Sequence, residues 1–244
     1  MSKKLSHREE NRWSIYKIKV NLSTMDFEIK NFSGKVPIFP LPETVFFPKT
    51  FLPLNIFEAR YKKMLLDSFE NEKIICVTLL KNSIKEDHNE FPDICSTACI
   101  GRIEMKNETS QGTYNILLSG LKKVKIYEIK SDKEYRQAKV EIINEISGDE
   151  NLDLLKEKVF RAFERMPIKG DNPQIPIEFK ELIDFEMAVN FLVSYLSIDN
   201  EQKQKMLELD DISLRAKILV QFMENSIGKI NMGDDNILGD LRFN

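Results

Sequence analysis

Histidine is almost missing from this sequence: His7 and His88 are the only two in 244 residues. His7 stands in a polar terminal arm and His88 in the charged stretch KEDHNEF. A Ser-His or Cys-His pair would have to recruit its base from a solvated segment, against the orientation that such a base needs. Cysteine is nearly as sparse. Cys76, Cys95 and Cys99 form an odd set in a long chain, unlike a disulfide framework, and are expected to act as small buried hydrophobes. Cys95 and Cys99, in CSTAC, lack both CxxC spacing and the second ligand pair of a zinc site. On a strand, residues four apart share a face, so both thiols are expected in the core.

Phosphate-binding loops are also absent. Neither G-x-x-x-x-G-K-[ST] nor G-x-G-x-x-G occurs, and the pair Gly228-Lys229 lacks the upstream glycine and the following Ser or Thr, which excludes a P-loop. No cofactor or metal is expected. The strongest apolar stretch, Ala188 to Leu196, is broken by Asn190 and Ser194 and falls far short of the roughly 20 residues that cross a bilayer. Lys3, Lys4, Arg8 and Arg12 have no apolar run behind them, unlike a secretory signal, so a cytoplasmic protein without a membrane partner is expected. With 36 Lys plus Arg against 39 Asp plus Glu, the net charge of -3 supplies no global field for phosphate backbones. Acid pairs are present at Glu86-Asp87, Asp210-Asp211 and Asp234-Asp235, but without a concave apolar site to raise one pKa they read as solvated charge.

What remains is an ordinary globular composition, 42% hydrophobic and 31% charged, with length for one large or two small domains. In residues 1–35 an alternation (Ile18, Val20, Leu22; Met25, Phe27, Ile29) suggests an arm with extra strands. From Val36 to about Ile146 the pattern is extended. KIICVTLLK (Lys73 to Lys81) reads as a buried strand, TYNILLS and KKVKIYEI as two strands joined near Gly120, and QAKVEII as another. One helix interrupts them, with Asn55 as N-cap, Glu58 completing a capping box, and Phe57, Tyr61, Met64, Leu65 and Phe69 at helical spacing. After Gly148 the period becomes helical. Leu152, Leu155, Val159, Phe163 and Met166 form one stripe, and Leu182, Phe185, Val189, Leu192 and Leu196 another, with Pro167 to Pro176 between them. Asp199 with Gln202 caps a short helix, and Leu214, Ile218, Leu219 and Phe222 mark the last one.

The most specific stretch is VPIFPLPETVFFPKTFLPLNIFEARYKKMLLDSF, Val36 to Phe69. With CIGRI (Cys99 to Ile103) and YNILLSGLKKV (Tyr114 to Val124), it closely resembles the LON N-terminal, or Lon substrate-binding, domain family. Phe39, Pro40, Leu41, Val45, Pro48, Pro53, Leu54, Ile56, Phe57, Glu58, Arg60 and Tyr61 fall on the family pattern. Residues 36 to 225 are covered, more weakly through the helices. Ala98 stands where the family usually has Gly, and the alternating arm has no place in the pattern. The resemblance implies an α+β fold: an N-terminal β-rich PUA-like pseudo-barrel with one inserted helix (36–148), then a C-terminal α-helical bundle (149–227), with an arm at 1–35 and a flexible tail at 228–244. No ATPase or Ser-Lys peptidase part accompanies it, so a free-standing module without catalysis is expected.

Prolines 42, 48 and 53 cannot donate to a central ladder, so FPLPETVFFPKTFLPL must be an edge-and-turn segment. Core packing is expected for at least two of Phe46, Phe47 and Phe51. The functional alternative places one or more of them in an open apolar groove that accepts unfolded polypeptide or a protein partner, as the family implies. A second alternative, drawn from PUA-like barrels, is RNA contact through Lys122, Lys123 and Lys125. Lys123 and Lys125 share a strand face, for which a solvated sheet surface is the favoured reading.

Overall fold

The computed structural model describes residues 29, 32–81, 92–148, 151–166 and 177–231. The alternating arm short of Ile29, both histidines, Glu86-Asp87, the segment Pro167 to Pro176 and Asp234-Asp235 lie outside the described residues.

Six strands form one mixed sheet: β1 (Lys35–Leu41), β2 (Phe51–Ile56), β3 (Ile74–Leu79), β4 (Thr97–Glu108), β5 (Tyr114–Ile129) and β6 (Gln137–Ile142). Their order is β2-β5-β4-β3-β1-β6, and β6 also pairs with β5, so the ladder β5-β4-β3-β1-β6 returns to its start. Only β1 and β3 are parallel, and the excursion that joins them contains β2 and helix α1 (Ala59–Glu70). The two-residue period of the strands sorts their side chains. Val36, Ile38, Ile74, Cys76, Ala98, Ile100, Leu121, Val124, Ile126 and Ala138 fill one core, to which all five strands of the returning ladder contribute. Phe39, Ile75, Val77, Cys99, Ile103 and Leu118 point the other way, toward Tyr61, Met64 and Leu65 of α1.

TYNILLSGLKKVKIYEI is one 16-residue strand rather than two joined at a turn. Its partner on β4 shifts register between Ile100 and Gly101, so Lys122 opposes Ile100, Gly120 opposes Gly101, and Leu121 is the extra residue of a bulge. The bulge lets one strand serve two neighbours: residues 114–119 pair with β2 and residues 124–129 with β6.

Asn55 does not cap α1. It lies in β2, where its side-chain amide donates to Asn115 Oδ1 at 2.8 Å and Thr113 Oγ1 at 3.1 Å. The helix instead starts after Glu58, whose backbone is extended and whose side chain makes no cap bond. Phe57, expected in the helix stripe, precedes the helix and is 65% exposed. An Asn-x-x-Glu pattern marks a cap only when the chain leaves its strand at the asparagine, and here pairing with β5 holds it through Ile56.

The second half is helical: α2 (Leu152–Glu164), α3 (Ile177–Leu182), α4 (Phe185–Tyr195), α5 (Asn200–Glu208) and α6 (Ile212–Asn231). The starts of three are capped by side chains, with Asn151, Asp184 and Asp199 accepting from the amides of Leu154, Met187 and Gln202. The cap at Asp184 splits the second expected stripe. Leu182 belongs to α3 and is exposed, while Phe185, Val189, Leu192 and Leu196 are buried. On α6 the inward face is Ile212, Arg215, Ala216, Leu219 and Met223, and Leu214 and Ile218 face solvent. A buried arginine occupies a position that an apolar count skips.

Candidate functional site

The segment between β1 and β2 joins the two halves. Val45 and Phe47 insert into the helical core, while Phe46 turns into the core beneath α1. Close approach to the sheet is possible because two glycines face each other across β4 and β5. A Cβ at Gly101 would lie 2.7 Å from the Phe46 ring, and one at Gly120 only 2.2 Å from the Phe47 carbonyl oxygen. Lys49 N donates to Gly120 O and Gly120 N to Thr50 O, both at 2.8 Å. Asn190 on α4 donates its side-chain amide to Pro48 O at 3.0 Å. Burial disfavours the Lys49 ammonium, but Asp184 at 2.6 Å and Glu186 at 2.9 Å outweigh it and hold its pKa above the usual lysine value. Phe46 is 4% exposed and Phe47 fully buried, so neither ring faces solvent. Phe51 is half-buried on β2.

The three candidate lysines also separate. Lys122 and Lys125 are exposed, and the Lys125 ammonium lies 5.8 Å from the centre of the Tyr127 ring. Lys123 is 1% exposed, not part of a solvated face. Its ammonium donates to Leu209 O at 2.7 Å and Asp210 Oδ1 at 2.9 Å and lies 3.3 Å from Glu145 Oε1. The helical half covers this stretch of β5, which strand parity by itself does not reveal. Arg215 completes the node by donating to Glu145, to Asn190 Oδ1 at 2.6 Å, to Met206 O at 2.7 Å and to Leu209 O at 2.7 Å. Asp210 is exposed, as its reading as solvated charge implies, and is also the salt-bridge partner of a buried lysine. These groups bond one another across the junction of sheet and helices, and a cleft of about 90 Å3 beside them is lined by Pro48, Lys122, Lys123, Glu145 and Glu186. Burial raises the Glu186 pKa, with Lys49 opposing it.

The chemistry of the thiols is muted. Cys76 and Cys99 are buried on opposite faces of the sheet, and loss of hydration pushes both thiols well above the usual range. Cys95 precedes β4 and is half-buried. Among the described residues no three metal-ligating side chains converge.

The outer face of β2, β5 and β4 has a different character. Register places Pro53 beside Leu117 and Leu117 beside Met105, which forms an apolar row across three strands. Pro53 is exposed, Leu117 half-buried and Met105 52% exposed. One pleat further along, the same registers place Asn55 beside Asn115 and Asn115 beside Asn107, all exposed. On the other side, Ser119 opposes Phe51 and donates to Glu104 at 2.5 Å. Phe57 follows Asn55 at the end of β2. Sequence reading singled out Phe51 and missed the rest, because Pro53, Leu117 and Met105 are 64 and 12 positions apart and only register brings them together.

The architecture is that of a Lon N-terminal domain. A Lon N-terminal domain protein from Xanthomonas campestris superposes with a TM-score of 0.59 at 20% identity, covering 78% of this chain and 98% of that one. The N-terminal domain of Mycobacterium avium complex Lon protease gives 0.54 at 15% identity over the same shares. The chain belongs to the family of the ATP-dependent protease La (LON) substrate-binding domain, whose model matches residues 35–225. Among whole proteins it is 27% identical to the Lon protease of Cytophaga hutchinsonii over 207 residues and 26% identical to that of Flavobacterium johnsoniae over 219. These matches cover 83% and 85% of this chain but 25% and 26% of the proteases, so the chain spans about a quarter of their length. The similarity lies in the substrate-binding part of Lon, not in its ATPase or peptidase parts. Among the described residues no helix is long and apolar enough to cross a membrane.

Proposed function

We propose that this chain is a protein-binding module without catalysis of its own, which takes apolar segments of unfolded polypeptide on the outer face of β2, β5 and β4. The observation that carries the reading is the row Pro53, Leu117 and Met105, turned outward on paired strands rather than into a core. Phe51 and Phe57 widen it. An exposed apolar patch is a common mark of a protein-contact surface. The substrate-binding description of the matched family supports the same reading. The buried, weakly acidic thiols and a charged node whose two cations are both engaged inside the protein support a module that recognises rather than transforms. We read the returning ladder as the pseudo-barrel of PUA-like folds and place the module in the cytoplasm. RNA contact is the weaker reading, since Lys123 is engaged inside the protein.

Met105→Glu and Leu117→Glu test the surface, because each puts a charge in the row while leaving the interior untouched. Fluorescence anisotropy with a reduced, carboxymethylated small protein that stays unfolded should show affinity reduced at least tenfold in both variants, at an unchanged melting temperature. Undiminished binding by both variants would remove this face from the function.

A further inference from the structure

We infer that the occupant of this face is recognised through its main chain, so that the module reads extended conformation rather than a particular sequence. The inference rests on the docking surface proposed above. Beside the apolar row runs a second row of side-chain amides, Asn55, Asn115 and Asn107, on neighbouring strands and exposed to solvent. A primary amide carries the donor and acceptor of a peptide group, with one additional donor. The row is already polarised between its first two members. Asn55 Nδ2 donates to Asn115 Oδ1 at 2.8 Å and to Thr113 Oγ1 at 3.1 Å, which fixes the orientation of the first two amides. Among the described residues no hydrogen bond is made by Asn115 Nδ2, Asn55 Oδ1 or the amide of Asn107, so donors and acceptors remain on the solvent side.

The spacing fits a chain crossing the strands. Three adjacent strands span about 9–10 Å, the reach of about three residues of extended polypeptide, and the two rows are one pleat, about 7 Å, apart. A chain laid between them sets its peptide groups against the amides and two alternate side chains, about 7 Å apart, against the row of Pro53, Leu117 and Met105. No charged side chain stands at any of these six positions, and Glu104, which flanks Met105, is bonded to Ser119, so the two rows themselves ask for neither an acidic nor a basic partner. That combination suits apolar stretches of many sequences, which share a backbone and little else.

The two parts of the reading separate in one experiment. The probe is a labelled nonapeptide of alternating leucine and serine, compared with the same peptide N-methylated at its serines, which keeps the leucines and removes backbone donors. Both are titrated by anisotropy into the full chain and into Asn107→Leu and Met105→Glu. Main-chain recognition predicts binding of the parent peptide, loss of about tenfold on N-methylation, and a loss of about fivefold in Asn107→Leu, the scale of one or two hydrogen bonds. Asn107→Leu enlarges the apolar area, so docking driven by area alone predicts tighter binding instead. Equal affinity for the two peptides, or tighter binding by Asn107→Leu, overturns main-chain recognition while leaving the apolar surface standing, provided that Met105→Glu still weakens the parent. No binding of the parent, or binding indifferent to Met105→Glu, overturns the surface and this inference together.

Discussion

At the scale of single residues, the polar groups that matter most hold segments together. Lys123 and Arg215 are both buried, and each is matched by Glu145 and by backbone carbonyls at the end of α5. Taking such charges out of water is costly unless every donor finds an acceptor, which explains why one carboxylate and the Leu209 carbonyl serve both cations. Asp67 does a similar task nearer the surface. It accepts from Lys133 Nζ and from the Tyr135 hydroxyl, each at 2.7 Å, and so ties α1 to the chain between β5 and β6. Those two bonds hold its carboxyl below the usual aspartate pKa. A carboxylate with a depressed folded pKa stabilises the protein above its unfolded pKa, and the contribution fades as pH falls through the folded value. Urea unfolding of the native protein and Asp67→Asn at a series of pH values should therefore show a gap that closes between about pH 5 and pH 2. For a partly exposed pair the gap is expected to be no more than about 1 kcal/mol. A gap independent of pH would mean that the Asp67 bonds act without their charge.

At the scale of elements, β2 has a neighbour on one side only among the described residues. The bond from Gly120 N to Thr50 O makes that pair a hydrogen-bonded one, so alternation turns the backbone groups of Leu52 and Leu54 toward β5 and those of residues 51, 53 and 55 to the side away from β5. Pro53 thus sits at the middle of the edge and removes its central donor, a device that blunts strand addition. Pro53→Thr restores the donor and should make the protein self-associate. A rise in apparent mass with concentration by light scattering checks it, and a strictly monomeric variant would show that the edge is protected by something else. The sequence made Pro53 legible as an edge residue, and the apolar run of KIICVTLLK and the stripe of α2 foretold both strand and helix. What it concealed was non-local. The bulge at Leu121 depends on the shift opposite Ile100, the burial of Lys123 on helices more than 80 residues away, and the apolar row on two registers at once. Core packing was legible for at least two of Phe46, Phe47 and Phe51, but not which two, nor that the adjacent rings of Phe46 and Phe47 enter two different cores.

At the scale of the whole molecule, that last feature decides how the halves depend on each other. The helical core is completed by Val45 and Phe47 from the sheet side, and the Phe47 ring also lies 5.7 Å from the Arg215 guanidinium. The helices are therefore short of a central side chain when the loop is displaced, and the node of Lys123, Glu145 and Arg215 is opened on one flank. Phe47→Ala should cost about 3–5 kcal/mol, the range for truncating a fully buried aromatic ring. The distribution of that cost matters more than its size. If the loop couples the halves, hydrogen exchange in the variant speeds up together in α4 and α6, in β5 at Gly120, where the Phe47-Pro48 backbone rests, and in β4 at Gly101, against which the Phe46 ring packs. Faster exchange confined to the helices would show instead that the sheet folds independently and that the loop only decorates it. A coupled outcome fits the proposed surface. β2 follows directly on this loop, so the same insertion that locks the helices to the sheet also fixes the strand that carries Pro53 and Asn55 beside Leu117 and Asn115.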